Sequence, residues 1–296
     1  MKGLSVAIFG SRFQSDKRCQ VLSLFEAFRS RGAALYVCRD FYDFLASAMT
    51  EPPKVEGLID GDDFTADFVV SVGGDGSYLR TAHRIGDKGF PILGINTGRL
   101  GFLADIECTD LPTVLEDISQ RRYTLEAKRL VQLKVNGAVF EQYPCALNEI
   151  AILKGDNASM INIHAFVNGD YLNGYQADGL LIATPTGSTA YALSVGGPLL
   201  MPNTRNWQIV AVAPHNLTVR PIVVDDTSVI DLEIESRSQN FLVSLDGQSY
   251  TLPCTAKLQI TQAKYQVMAF KPYDHSFLQT LRQKLYWGMD PRQDPR

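Results

Sequence analysis

A change of hydrophobic period near Tyr123 limits the folds open to this chain more than any other feature. Before it, short apolar runs alternate with stretches whose apolar residues recur every three or four positions. After it, apolar and polar residues alternate, and the runs end in Asn-Gly or Asp-Gly pairs. The first pattern is that of strands and helices in turn, which pack as a parallel sheet covered by helices. The second is that of antiparallel hairpins closed by type I′ turns. A chain that carries both patterns in succession is expected to form two domains, and 296 residues suffice for two.

In the first part, Ser5 to Phe9 reads as a strand, and Val21, Leu24, Phe25 and Phe28 mark a helix that stops at Gly32. Ala34 to Val37 is a second strand, and Phe41 to Met49 a helix that Pro52-Pro53 cannot continue. Phe68 to Val72 reads as the third strand. A glycine turn at 73–76, a helix from near Ser77 to Ile85, a strand from Ile92 to Ile95 and a helix around Val114, Leu115 and Ile118 follow. In the second part, Val131, Leu133 and Val135 run into Asn136-Gly137, and Ile161, Ile163, Ala165 and Val167 into Asn168-Gly169. Ile230, Leu232 and Ile234 alternate with Asp231, Glu233 and Glu235, and Phe241 to Leu245 ends at Asp246-Gly247. Phe277, Leu278, Leu281 and Leu285 form an apolar helical stripe with no helical neighbour in the β-rich part, so this helix is expected to return to the first domain.

Composition narrows the class. Hydrophobic residues at 45% and charged residues at 20% are those of a folded, water-soluble protein rather than a disordered or low-complexity one. Lys plus Arg number 28 against 32 Asp plus Glu, so no global charge draws the chain to nucleic acid or an anionic membrane. Cys19, Cys38, Cys108, Cys145 and Cys254 are scattered and never spaced C-x-x-C, which indicates neither zinc nor a disulfide framework and fits a reducing cytoplasm. The apolar start, Leu4 to Phe9, is shorter than a signal-peptide core, and no later apolar run is long enough to cross a bilayer. A cytoplasmic location is expected, with neither membrane nor nucleic acid as partner.

The most informative segment is Gly73-Gly74-Asp75-Gly76, between a buried strand and a helix. Such a turn lets phosphate oxygens reach bare backbone N–H groups at a helix N-terminus. An acidic residue there is odd for anion binding alone. Asp75 can accept a proton from an attacking hydroxyl or hold a metal ion, although the four residues by themselves are equally those of a tight turn whose Asp caps the helix. No Lys-Ser or Lys-Thr follows, and Leu79 takes the place of the last glycine of a dinucleotide fingerprint, which disfavours the familiar nucleotide folds.

A second glycine-rich loop, Gly94 to Phe102, follows the next strand, where parallel sheets place their ligand crevice, and the two loops are expected to line one cleft with Arg80 and Arg99 as its cations. In the β-rich part, Asp178-Gly179 to Tyr191 joins an apolar strand to a run of small hydroxyl residues suited to a base edge or sugar, with Tyr191 as an aromatic face. An ordinary Ser/Thr-rich loop is the competing reading. Asn148-Glu149 opens a strand where an amide and a carboxylate are awkward to bury without partners, and a ligand can satisfy them. His83, His164, His215 and His275 are dispersed, and His164 falls on the polar face of its strand. No nucleophile elbow is present.

Taken in order, Gly73-Gly74-Asp75-Gly76, Asn96 to Leu103, Asn148-Glu149, Asp178-Gly179 to Tyr191 and Asp246-Gly247-Gln248 resemble the motifs of bacterial NAD kinases over nearly the whole chain. The resemblance implies a Rossmann-like parallel α/β domain over residues 1–124, an antiparallel β-sandwich-like NAD-binding domain over 125–272, and a C-terminal helix and tail, 273–296, on the first domain. The active site is then expected between the domains. The activity implied is transfer of the terminal phosphoryl group of ATP, or of polyphosphate, to the adenosine ribose 2′-hydroxyl of NAD, with a divalent metal ion, Mg²⁺ by analogy. Carried over, Asp75 is the proton acceptor, with Gly74, Gly76, Arg80 and Phe102 about the same ligand. Asn148 and Glu149 contact the adenosine part, Asp178 the nicotinamide end, and Thr186, Thr189, Ala190, Tyr191, Ala192, Leu193 and Ser194 line the dinucleotide pocket. Gln248 is a further ligand contact. No metal-ligating residues are assigned.

Two departures stand out: Ser77 replaces a common threonine, and Gln176 an arginine frequent in relatives, which leaves the choice between NAD and NADH open. A homo-oligomer, tetramer or dimer, is also implied, and the hairpin edges that need covering point the same way. The alternatives are a lipid kinase of the diacylglycerol or sphingosine type, which shares the glycine turn but not the second domain, and an NAD(P)-binding sensor without turnover.

Overall fold

The structure, a computed structural model, describes residues 3–12, 17–98, 101–155 and 159–287. Its contacts divide the chain into two compact units, Met1–Ala127 with Val267–Arg296, and Lys128–Gln266.

The first unit alternates β1 (Ser5–Gly10), α1 (Arg18–Ser30), β2 (Ala34–Cys38), α2 (Arg39–Ala48), β3 (Gly57–Ile59), β4 (Phe68–Gly73), α3 (Asp75–Ile85), β5 (Ile92–Asn96), β6 (Ile106–Glu107) and α4 (Leu111–Ser119). The strands lie in the order β5-β4-β1-β2-β3, all parallel, with β6 also parallel on β5. Central strands covered on both faces must be apolar throughout, and Val6 to Phe9 and all of β4 are buried. The helices supply the covering stripes: Val21, Leu24, Phe25 and Phe28 from α1, and Leu111, Val114, Leu115 and Ile118 from α4. Because β1 has β2 on one side and β4 on the other, chain direction across the sheet reverses between β1 and β4. In open parallel sheets a ligand crevice opens there, at the strand C-termini.

The second unit contains most of β7 (Tyr123–Val135), then β8 (Ala138–Val139), β9 (Cys145–Ala146), β10 (Glu149–Lys154), β11 (Ile161–Val167), β12 (Asp170–Ala177), β13 (Gly179–Ala183) and the short α5 (Tyr191–Ser194). It continues with β14 (Asn206–Val212), β15 (Ile222–Asp225), β16 (Ile230–Glu235), β17 (Asn240–Leu245), β18 (Gln248–Pro253) and part of β19 (Leu258–Pro272). One antiparallel sheet runs β15-β14-β13-β10-β17-β18, and β12-β11-β16-β19 form the other, with β7 beside β19. Their inner faces share one core that includes Ile150, Ile163, Leu180, Trp207, Ile234, Phe241 and Ile260. The three Asn-Gly and Asp-Gly turns have the left-handed backbone expected of type I′, with φ of 51° at Asn136, 54° at Asn168 and 48° at Asp246. β13 is buried along its whole length because α5 covers its outer face, where Ala192 packs against Ala151, Leu181, Ala183 and Val210.

The last part of β19 belongs to the first unit, where Ala269 pairs in parallel with Ile92. The final helix, α6 (Phe277–Leu285), belongs there too, as its apolar stripe requires. The sequence reading missed the three-residue β3, so Phe68–Gly73 is the fourth strand and not the third.

Leu180 is fully buried in the sandwich core. Leu180→Ala is expected to cost about 2–5 kcal/mol, read as a lower urea midpoint for the transition reported by Trp207 fluorescence. An unchanged midpoint contradicts this packing.

Candidate active site

In the first unit the site is built around Asp75. Gly74 caps α3 in an extended conformation, and Asp75 opens the helix, where the dipole favours a negative charge. The carboxylate does not cap its own helix. Oδ2 accepts the backbone N–H of Phe102 at 2.8 Å, and Oδ1 accepts those of Leu103 and Ala104, each at 3.0 Å. A carboxylate offers about four lone-pair positions, so one remains, on Oδ2. The two glycine loops thus meet directly, through this side chain. Gly101 allows the approach, since a Cβ there would stand 1.9 Å from Asp75 Oδ1.

Beside this lies the crevice at the sheet's reversal point. A cavity of about 800 Å³ is lined by Gly10, Ser11 and Arg12 at the end of β1, by α2, and by Arg80. Ser77 Oγ donates to Ser11 Oγ at 2.9 Å and binds the two loops that leave β1 and β4. Arg80 reaches back to Ser77 Oγ at 3.3 Å. Gly76 is exposed. Arg99 lies outside the described residues.

The second unit repeats the device. Asp246, in the β17–β18 turn, accepts the backbone N–H groups of Leu147 and Asn148 at 2.7 Å each and that of Glu149 at 3.3 Å. This fixes the β17–β18 turn, and with it Gln248, which opens β18, at the end of the sheet where β10 starts, one strand away across β17. On the other side, Thr184 donates its hydroxyl to the Leu147 carbonyl at 2.6 Å and accepts the Gly187 N–H. Gly187 packs so closely that a Cβ would stand 2.1 Å from the Asn148 carbonyl oxygen. The Tyr191 N–H lies close enough to the Glu149 carboxyl to favour its ionised form, while Glu149 Oε2 is buried without a hydrogen-bond partner.

Asn148, Glu149, Thr186, Tyr191 and Gln248 therefore gather at one end of the sandwich. Thr186 is half-buried and Tyr191 exposed, whereas Ser188 and Thr189 donate their hydroxyls to the Pro185 and Thr186 carbonyls. The hydroxyl-rich run thus mostly builds its own loop. Ala190 and Leu193 are half-buried and Ser194 exposed. The methyl of Ala192 packs against Ala151, Leu181, Ala183 and Val210, so its side chain anchors the loop to the sheet.

Asp178 is not brought to this end. It precedes β13, at the opposite end of the strand from Ala183, which pairs with Glu149. Five strand residues separate the ends by roughly 16 Å. There Asp178 pairs with Lys154 at 2.8 Å.

Two neighbouring carboxyls of the second unit, Glu149 and Asp246, divide one charge unequally. Burial pushes Glu149 up to about 8, the charge of Asp246 adds to this, and the Tyr191 N–H opposes both. Burial also raises Asp246, to about 6, against three N–H donors that favour its ionised form. Asp246 has the better solvation, so Glu149 holds the proton.

Sequence reading missed a charged cluster in the first unit. Asp105, whose side chain is 4% exposed, accepts hydrogen bonds from Lys271 and, at 2.8 Å, from His275. Burial raises its pKa, but the Lys271 charge and the hydrogen bonds from His275 and Lys271 outweigh it and hold the carboxyl at about 2. The partners are 166 residues apart, and no local pattern announces such a pair.

A strand-to-helix glycine turn with a fixed carboxylate, beside a crevice lined by Arg12, Arg80, Asp40 and Asp43, and a β unit presenting an amide, a carboxyl and an aromatic at one end suit a small-molecule phosphotransferase. The comparisons with known proteins specify which. Residues 26–123 match the ATP-NAD kinase N-terminal domain and residues 147–271 the ATP-NAD kinase C-terminal domain. The chain is 48% identical to an NAD kinase of Bacteroides fragilis over 98% of its own length and 100% of the relative's. It is 43% identical to an NAD kinase of Porphyromonas gingivalis over 96% and 98% of the two chains. Among solved structures, an NAD kinase from Archaeoglobus fulgidus in complex with ATP superposes with a TM-score of 0.72 at 25% identity, over 94% of this chain and 99% of that one. Yeast NADH kinase complexed with NADH shares the fold, with a TM-score of 0.88 at 19% identity over 99% and 90%. The chain belongs to the NAD kinase family, and it is a phosphotransferase that makes NADP from NAD. The match to an NAD kinase C-terminal domain sets it apart from the lipid kinases.

The raised Glu149 makes stability depend on pH. A carboxyl whose folded-state pKa lies above its unfolded value costs nothing when both states are protonated and its full penalty when both are ionised. Folding stability is therefore lost as pH rises between about 4.5 and 8. Glu149→Gln removes that loss, so its melting temperature should gain on the parent's progressively across this range, measured without nucleotides. A constant difference at every pH contradicts the assignment.

Proposed function

We propose that Asp75 takes the proton of the adenosine ribose 2′-hydroxyl of NAD while the terminal phosphoryl group of ATP moves onto its oxygen. The 2′-oxygen attacks the γ-phosphorus, the bond from that phosphorus to the β-phosphate oxygen breaks with its electron pair leaving on ADP, and the proton passes to Oδ2. The observation that carries this reading is the remaining acceptor position on Asp75. Three backbone N–H groups fix the carboxylate and leave one lone pair on Oδ2 with a set direction. Phosphoryl transfer needs positioning and charge stabilisation with little covalent chemistry, and one oriented base suffices.

The cavity at the end of β1 carries Arg12 and Arg80 as well as Asp40 and Asp43, and the two arginines are the groups on its wall that can meet the donor's phosphates. Among the described residues no group of three or more His, Cys, Asp or Glu is placed to hold a metal ion. A divalent cation, Mg²⁺ by family resemblance, would supply charge screening on the donor's phosphates, as this ion usually does. Polyphosphate as an alternative donor fits the same cavity.

In the β unit, Asn148 and Glu149 face the adenosine part, and Thr186, Thr189, Ala190, Tyr191, Leu193, Ser194 and Gln248 line the dinucleotide pocket. A protonated Glu149 can donate as well as accept a hydrogen bond, which suits sugar hydroxyls. The position of Asp178, a strand length from that end, supports a role at the nicotinamide end through a second copy of the chain, in a homotetramer or homodimer. No helix among the described residues is long and apolar enough to cross a membrane. The free thiols of Cys38, Cys108, Cys145 and Cys254 are compatible with a reducing cytoplasm, the location expected from the sequence.

The test combines three variants in an assay of NAD, ATP and Mg²⁺, with NADP measured by an NADP-specific dehydrogenase. Asp75→Asn is expected to lower kcat by about 10²–10⁴-fold while still binding NAD. Asn148→Ala and Tyr191→Ala are expected instead to weaken NAD binding by roughly 1–3 kcal/mol in calorimetry. Parental turnover in Asp75→Asn makes that residue structural only.

A further inference from the structure

The segment that holds Asp75 is itself held by the end of the chain. Phe102 to Ala104 supply the three N–H groups, and both flanks of that segment meet residues from 271 to 284. On one flank, Asp105 is buried and bound by Lys271 and His275. On the other, the Phe102 ring lies 6.4 Å from that of Phe277, and Lys284 Nζ stands 5.7 Å from the centre of the same ring. That distance is within reach of a cation–π attraction.

Lys284 is an unusual helix residue. Its ammonium nitrogen is inaccessible to solvent and has no hydrogen-bond partner. Burial pushes its pKa down, while the charges of Asp105, Asp75 and Glu107 pull it back up and that of Lys271 opposes them. An ammonium withdrawn from water without hydrogen bonds is costly unless nearby negative charge or an aromatic face compensates. Here the compensation comes from the groups that make up the Asp75 loop. The helix that carries Lys284 is firmly set, because Ser276 caps α6 by accepting the Gln279 N–H, and Thr280 and Leu281 are buried beneath it.

We propose that the C-terminal segment is a clamp on the base, with Lys284 and Phe277, together with the Asp105–Lys271–His275 set, acting as positioning residues that aim the open lone pair of Asp75. The inference rests on the reading of Asp75 as the base. It adds to that reading that the rate of transfer depends on a helix some two hundred residues from the glycine turn in sequence, through contacts that touch no substrate. The expected signature is a loss in kcat larger than any change in the KM for NAD, because Lys284 reaches the ligand only through the loop that carries Phe102, while Asn148, Glu149, Tyr191 and Gln248 are in the other unit. An error of about 1 Å at a reacting group can cost on the order of 10²-fold in rate.

The experiment measures kcat and KM for NAD in the full-length protein for Lys284→Met, Lys284→Arg, Asp75→Asn and the double variant Asp75→Asn/Lys284→Met. Lys284→Met should lose roughly 10- to 100-fold in kcat with KM within about twofold, and Lys284→Arg, which keeps the cation over the ring, should recover most of it. In the Asp75→Asn background, Lys284→Met should change the residual rate by less than about twofold, since residues that act as a unit are not additive. Should Lys284→Met fail to fold, Phe277→Leu, which keeps the bulk and removes the ring, takes its place in the same cycle with the same expectation. Parental kcat in the Lys284 or Phe277 variant, with Asp75→Asn inactive, overturns the clamp and leaves the base intact. A full additive loss in the double variant also overturns it. Parental turnover in Asp75→Asn overturns the base reading, and the clamp with it.

Discussion

Three backbone N–H groups meeting one carboxylate decide the form of the α/β unit's site. Asp75 could have capped α3, as aspartates at helix starts commonly do, and its loop would then have been an ordinary turn. Its oxygens instead reach the amides of Phe102, Leu103 and Ala104, so the glycine turn after β4 and the loop after β5 become one piece. The absence of a side chain at Gly101 and the burial of Asp105 under Lys271 and His275 both serve that junction. Charge-assisted hydrogen bonds of this kind are among the stronger ones in proteins, and three on one side chain leave it little freedom.

The β unit uses the same device for another purpose. Asp246 takes the amides of Leu147, Asn148 and Glu149, again three consecutive residues from a distant part of the chain. In the first unit the bound aspartate is the chemically active group in our reading. In the second it is the support, and the residues it organises are the ones we propose to meet the ligand. The consequence for Glu149 is electrostatic: placed beside an ionised Asp246 and out of water, it stays protonated near neutral pH. A neutral carboxyl is a better partner for sugar hydroxyls than a second anion beside a phosphate acceptor.

Much of this was legible in the sequence because it is local. Val131 to Gly137, Ile161 to Gly169 and Phe241 to Gly247 carry their strands and their turns in consecutive residues, and the turns close with the backbone those pairs demand. Gly73 to Gly76 reads as a strand-to-helix turn for the same reason. What was not legible is long-range. Asp75 meets its partners 27 to 29 residues away, Asp246 meets amides almost a hundred residues back, and Lys271 meets Asp105 across 166 residues. Strand β3 is too short to show a period, and β15, with Ile222 and Val223 exposed, has no buried face to announce it. Ala192 shows the limit from the other side. Its motif places it among the expected pocket residues, and the fold adds that its methyl packs in the core.

Whether the Asp75 carboxylate holds the loop through three amides is decided by amide hydrogen exchange at Phe102, Leu103 and Ala104, resolved by NMR in the ligand-free protein and in Asp75→Ala. Strong protection of all three in the parent and its loss in the variant, with β4 and β5 still protected, is the expected result. Fast exchange at these amides in the parent, or equal protection in both proteins, contradicts it.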